Sequence, residues 1–182
     1  AGDQSKTTLF RLDFETNKLQ RLATNALDSS AAITPDGKDI IYTCTMADAG
    51  SVLCSVPAVG GETRLLGNEQ RGYGPSISPD GQFVVFVCKR GDNYGSCLLS
   101  LANANDEPRV NSAISGSGVT PQFGWLSDSS AYLVNNNENG VMNIRAVPLD
   151  GSTPFDITNF TDDHRIFSFG LSPDGKKLAI VR

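Results

Sequence analysis

The sequence predicts an all-β fold: a β-propeller of four four-stranded blades, with the last blade shared between the N- and C-terminal segments. Three observations lead there. First, a turn followed by a β-branched and aromatic run, Ser78-Pro79-Asp80-Gly81 and then residues 82–87, recurs as Thr34-Pro35-Asp36-Gly37 and Ser172-Pro173-Asp174-Gly175, with a degenerate copy at Leu126-Ser127-Asp128-Ser129. Second, the turn aspartates Asp36, Asp80, Asp128 and Asp174 stand 44, 48 and 46 residues apart, a period that suits a blade of several strands. Third, Gly, Pro, Asn and Ser separate short apolar runs throughout, and helical periodicity is scarce.

Each unit has a chemical reason to turn where it does. Proline presets φ, the Asp side chain bonds its own backbone, and glycine takes a positive φ. The residues that follow are strand formers. In order, residues 7–14 and 18–24 are predicted strands joined by Glu15-Thr16-Asn17, the outer pair of a blade. Strands at 31–34, 39–45, 51–58 and 62–66 form the first full blade, with Gly60-Gly61 in a turn. The order repeats at 75–78, 82–89, 96–102 and 108–111, and again at 122–126, 131–135, 142–148 and 153–158, with Asp150-Gly151 turning the last hairpin. Strands at 166–171 and 177–182 are an inner pair, for which residues 7–24 are the predicted outer pair, so that 1–182 forms one propeller domain. One alignment column supports the inner strands. Ala32, Ser76, Gly124 and Gly170 are small and precede the larger Ile33, Ile77, Trp125 and Leu171. Small residues let blades converge on the axis, and large ones fill the wedge between sheets.

The cysteines fall into the same frame. Cys44 and Cys88 each stand eight residues past a turn aspartate, and Cys54 and Cys97 lie on the strands that return from them. The predicted bonds are Cys44–Cys54 and Cys88–Cys97, face to face across a hairpin, against the alternative of four buried free thiols. A zinc site is disfavoured by the absence of a CxxC pair and by a single histidine. Closed loops of this size contribute roughly 2–3 kcal/mol each by the chain-entropy relation. Such bonds imply an oxidising, extracytoplasmic compartment, periplasmic or secreted.

Composition bounds function. The chain carries 15 basic and 20 acidic residues, a net charge of −5, with no basic patch interleaved with aromatics, which argues against nucleic acid. No apolar run has the length of a membrane-spanning helix. No leader peptide is read before Ala1, and a product processed at that point fits the same sequence.

The units resemble the TolB-type (WD-like) propeller repeat, which reads roughly SPDGxxLAF, a polar hairpin, then IYxxDxDGxxxxxLT. Residues 172–180 match the first half, residues 143–158 the second, and Leu9-Phe10-Arg11-Leu12-Asp13 with residues 19–24 the second again. The resemblance covers nearly the whole chain. It implies a propeller and, by analogy, protein–protein contact at the cell envelope. Two departures stand out: the family's propellers usually carry more than four blades, and paired cysteines are not among its hallmarks.

No reaction centre is read, so the chain is expected not to be an enzyme and to need neither metal nor cofactor. His164, the single histidine, lies in Thr161-Asp162-Asp163-His164-Arg165, a solvated interblade loop, and no GxSxG elbow is present. Asp162, Asp163 and the run Asn135–Gly140 offer oxygen ligands for calcium, but the run lacks EF-hand spacing and reads as a hairpin tip. Asn159-Phe160-Thr161 is a glycosylation sequon, which makes Asn159 a candidate acceptor in a secretory host. Trp125 reads as core, with a ligand role only near a channel mouth. Arg71, Tyr73 and Tyr94, near turns, are candidate contact residues. The expected role is a non-catalytic propeller that binds a protein partner. Two alternatives stand beside it: a structural subunit that self-associates into an oligomer or filament by inter-chain strand pairing, and a propeller fragment of a larger secreted enzyme such as a peptidase.

Overall fold

The computed structural model describes residues 7–46, 50–67, 72–90, 93–113 and 121–182. The described residues form fifteen strands and no helix. β1 (Thr7–Asp13) and β2 (Lys18–Ile33) begin the chain, followed by β3 (Asp39–Met46), β4 (Gly50–Pro57) and β5 (Arg64–Leu66). The next group is β6 (Gly72–Ile77), β7 (Phe83–Arg90), β8 (Asn93–Ser100) and β9 (Arg109–Ala113). Then come β10 (Phe123–Trp125), β11 (Ala131–Glu138), β12 (Val141–Pro148) and β13 (Phe155–Asp156), and last β14 (Ser168–Leu171) and β15 (Leu178–Val181).

Every pairing is an antiparallel meander. The sheets run β1-β2-β3-β4-β5, β6-β7-β8-β9, β10-β11-β12-β13 and β14-β15. Four apolar layers alternate with them. Tyr42, Cys44, Val52, Cys54 and Val56 face the β1–β2 hairpin through Ala23, Leu9 and Leu22. Ile41, Leu53 and Leu66, from the other face of the same sheet, meet Val84, Phe86 and Leu99. Val85 and Leu98 meet Trp125, Tyr132 and Val134, and Leu133 and Ile144 meet Phe169, Leu171 and Ile180. Odd and even residues of one strand therefore enter different layers, as the two-residue period of a strand requires.

The turn motif is built alike three times. Thr34 Oγ1 donates to Asp36 Oδ1 at 2.7 Å, Lys38 N donates to the same oxygen at 3.1 Å, and Gly37 N donates to Thr34 O. Ser78 with Asp80, and Ser172 with Asp174, repeat these contacts at 2.5 Å between side chains. The degenerate copy reaches the same shape by other means. Ser129 takes the glycine's place at a φ of 60°, and Ser130 Oγ donates to Asp128 Oδ1 at 2.7 Å. Neighbouring turns also touch, since Asp80 N donates to Ser129 Oγ at 3.1 Å.

The structure corrects one part of the predicted fold. The two chain ends do not share a blade: β1 pairs with β2 alone, and β15 with β14 alone. Residues 18–33 contain neither Gly nor Pro, so β2 runs unbroken from the hairpin into the first blade, and Ala26 pairs with both Thr7 and Cys44. Arg11 and Gln20 donate to the carbonyls of Ala58 and Val59, which ties the hairpin to that blade. The result is three full blades with a half-blade at each end. β13 is also shorter than predicted, because Ile144 N donates to Thr158 Oγ1 at 2.9 Å, a side-chain bond in place of a ladder bond.

Both cystines are present, Cys44–Cys54 and Cys88–Cys97, with Cα–Cα separations of 5.8 and 5.7 Å. They run diagonally rather than face to face: Cys44 pairs in register with Val52 and Cys54 with Tyr42, while Cys88 pairs with Gly95 and Cys97 with Phe86. Replacing either pair by alanines is expected to lower unfolding free energy by about 2–3 kcal/mol in denaturant titration. Non-reducing peptide mapping checks the pairing itself, and a Cys44–Cys88 peptide would overturn it.

The turn aspartates make stability acid-sensitive. The Thr34 hydroxyl and the Lys38 amide hold the Asp36 carboxyl down to about 2. Serine hydroxyl and amide donors lower Asp128 and Asp174 as well, and at Asp80 the same donors outweigh an opposing burial effect. Because the folded chain favours the charged form, this stabilisation is complete above the unfolded carboxylate value of about 4. It fades as pH falls through the folded values, which for Asp36 is about 2. The triple variant Asp36→Asn, Asp80→Asn, Asp174→Asn is expected to be less stable at neutral pH and to have a flatter acid limb. Urea midpoints between pH 7 and 2 test this, and parallel curves would refute it.

Candidate interaction surface

Each blade exposes two sets of loops. The Asp turns lie at the end where β2, β6, β10 and β14 hand over to the next strand. The opposite end carries the β3–β4, β7–β8 and β11–β12 hairpins, and it is there that two of the predicted contact residues meet. Register explains why. Tyr73 pairs with Val87, and Lys89, two residues on along β7, pairs with Tyr94. Tyr73, Lys89 and Tyr94 thus project from one face of the second sheet, the face on which Val85 enters the layer shared with the third blade. The two tyrosine rings meet edge to face at 6.4 Å between centroids. With Gly50, Ser51, Gly72 and Lys89 they line a cleft of about 220 Å³.

Burial pushes the Tyr73 phenol above its ordinary value, and Tyr94 adds to the effect, so Tyr73 stays neutral and keeps its hydroxyl donor. Tyr94 is 48% exposed. Lys89 is half-buried. Gly72 is there because nothing larger fits: a Cβ would stand 2.7 Å from the Phe86 ring and 2.9 Å from the Val87 carbonyl oxygen. Arg71, the third predicted contact residue, lies outside the described residues. Sequence reasoning missed Lys89; the signal was the strand period, which puts it on the same face as Val85 and Val87.

The other candidates disperse. His164 sits on an exposed loop with Nδ1 3.1 Å from Asp162 Oδ1, and Asp162 also accepts from Arg182, whose guanidinium stacks 3.6 Å over Phe160. That arrangement is a surface ion-pair cluster. Asn135 is buried and accepts from Gln122 N at 3.0 Å, while Asn139 and Gly140 turn the β11–β12 hairpin with φ of 54° and 89°. Among the described residues, no three His, Cys, Asp or Glu side chains converge on a metal-sized site, and no helix is long and apolar enough to cross a membrane. Asn159 is exposed. Trp125 is core, its indole N–H donating to Ser76 O at 3.2 Å. Beside it Phe123, Phe169, Pro79 and Pro173 border a second cleft, of about 330 Å³, at the Asp-turn end.

Stacked four-stranded meanders with apolar layers on both faces define a β-propeller-repeat protein. Its repeats resemble those of TolB-type propellers. No family model matches the chain. The Tol-Pal system protein TolB of Francisella tularensis subsp. tularensis is 24% identical over 160 residues, which is 86% of this chain and 36% of that protein. The chain thus spans about a third of the length of the curated relatives it matches. TolB from Acinetobacter baumannii superposes with a TM-score of 0.73 at 21% identity, covering 96% of this chain and 43% of that one. An oligogalacturonate lyase in complex with manganese superposes at 0.70 with 14% identity, covering 94% of this chain and 52% of that one. These structural likenesses concern the fold.

Proposed function

We propose that residues 1–182 act as one propeller unit that binds a protein partner, without catalysing a reaction, in an oxidising compartment outside the cytoplasm. The observation that carries the reading is the hairpin-end cleft, where two tyrosines in edge-to-face contact and a half-buried lysine stand on one face of a sheet. Exposed tyrosines on a fixed scaffold suit protein contacts, because they offer large contact area with few rotatable bonds. The similarity to a protein named for a Tol-Pal system supports binding over turnover. The two cystines support the compartment. The lyase neighbour shows that this shape also occurs in an enzyme, so activity is decided by the site and not by the fold.

Photo-cross-linking tests this reading. A benzophenone side chain at position 94 is expected to trap a protein from the native extracytoplasmic fraction, and one at Phe14, an exposed control site in the β1–β2 turn, is expected not to. Equal trapping at both sites, or turnover of a hydrolase or lyase substrate that His164→Ala abolishes, would sink it.

A second reading, a homo-oligomer joined by strand pairing, is favoured by one observation. β1 and β15 each have a bare edge, and the two terminal hairpins are the outer and inner halves of a blade. If copies pair this way, a charge at the exposed apolar position on β15, Val181→Lys, is expected to halve the mass seen by light scattering after size exclusion. A monomer at every concentration would exclude it.

A further inference from the structure

We infer that the Tyr73–Lys89–Tyr94 cleft takes an acidic side chain of a bound peptide, with the apolar neighbour of that Asp or Glu lying against the tyrosine rings. The inference rests on the protein-binding reading above and adds the chemistry of the partner. Lys89 is half-buried, yet among the described residues its ammonium forms no ion pair and no hydrogen bond. Partial burial removes some of its water, and an incoming carboxylate restores the lost contacts with a charge-assisted bond. Lys89 brings this positive charge to the cleft in a chain whose net charge is −5.

Size favours one side chain over a free metabolite. At about 220 Å³ the cleft is smaller than the roughly 300–1,000 Å³ of pockets that enclose small molecules. Gly50, Ser51 and Gly72 complete its lining and bring no charged group to it. The neutral Tyr73 hydroxyl adds a donor that matches a carboxylate, and the exposed ring of Tyr94 offers a flat apolar wall.

A phage-displayed random peptide library, panned on the immobilised chain, tests the assignment. Enriched peptides are expected to carry Asp or Glu next to an aromatic or aliphatic residue. Their binding is expected to fall about tenfold in Lys89→Gln and to return in part with Lys89→Arg. Tyr94→Ala, at an exposed position, should weaken the same peptides with no change in melting temperature, which guards against a folding artefact at Lys89. Enrichment without an acid, equal binding to Lys89→Gln, or no enrichment at all would overturn the inference. If photo-cross-linking at position 94 persists in Lys89→Gln, the acidic-peptide assignment falls while protein binding stands. Loss of the cross-link only in the charge-removing variant supports both.

Discussion

Burial of both faces of each sheet is the constraint on which the rest of this structure depends. A single four-stranded meander with apolar residues on either side has no stable existence in water, and it must be covered twice. Ile40, Tyr42 and Cys44 leave one face of β3 and Ile41 leaves the other, and all are nearly inaccessible to solvent. The same alternation along β7 and β11 binds the sheets into one stack. Stability then grows by neighbour contact, much as in other repeat proteins, and each sheet lends its neighbour the cover it lacks.

Covalent and polar links hold the stack in register. Both cystines lie on the face of their sheet that looks toward the preceding layer, Cys44 and Cys54 toward the β1–β2 hairpin and Cys88 and Cys97 toward the first blade. They fasten the central strand pair, leaving the hairpin end free to vary. The Asp turns do a different job. Each one satisfies its own amide donors locally, so the chain reverses without asking anything of a neighbour, and the Asp80–Ser129 contact then sets the spacing between blades. One end of the molecule is thus fixed by repeated chemistry. The other end, where Tyr73, Lys89 and Tyr94 stand, carries loops that do not repeat, and sequence freedom of that kind is what a recognition surface requires.

Much of this was legible in the chain itself. The turn motif and its period announced the blades, because Pro, Asp and Gly have strong local preferences that tertiary context has no reason to override. The cysteine offsets announced the bonds, because a hairpin fixes which positions approach. Their diagonal placement was not legible, since a two-residue shift of register, which keeps the same face, separates the two geometries. The fate of the chain ends was only half legible: the absence of Gly and Pro from residues 18–33 allows β2 to continue past Ala26, but whether the ends pair with one another is decided by long-range contacts that nothing local marks. At the cleft, the tyrosines were visible by residue type, but Lys89 acquired meaning only when pairing placed it opposite Tyr94.

Ile33 shows how the ends and the stack are linked. Ile77, Trp125 and Leu171 occupy the equivalent place in later units, and each packs against the layer of the blade before it. Ile33 is 59% exposed. The difference lies in its neighbour. What precedes the first blade is an outer pair of strands, and no inner pair is present to lie over the axial end of the sheet. At the far end the complement is bare: Val181 is 57% exposed, on the face of β15 turned away from the third blade. An exposed apolar side chain beside the first hairpin and an exposed apolar face on the last one thus lack the two-sided cover that every sheet between them has.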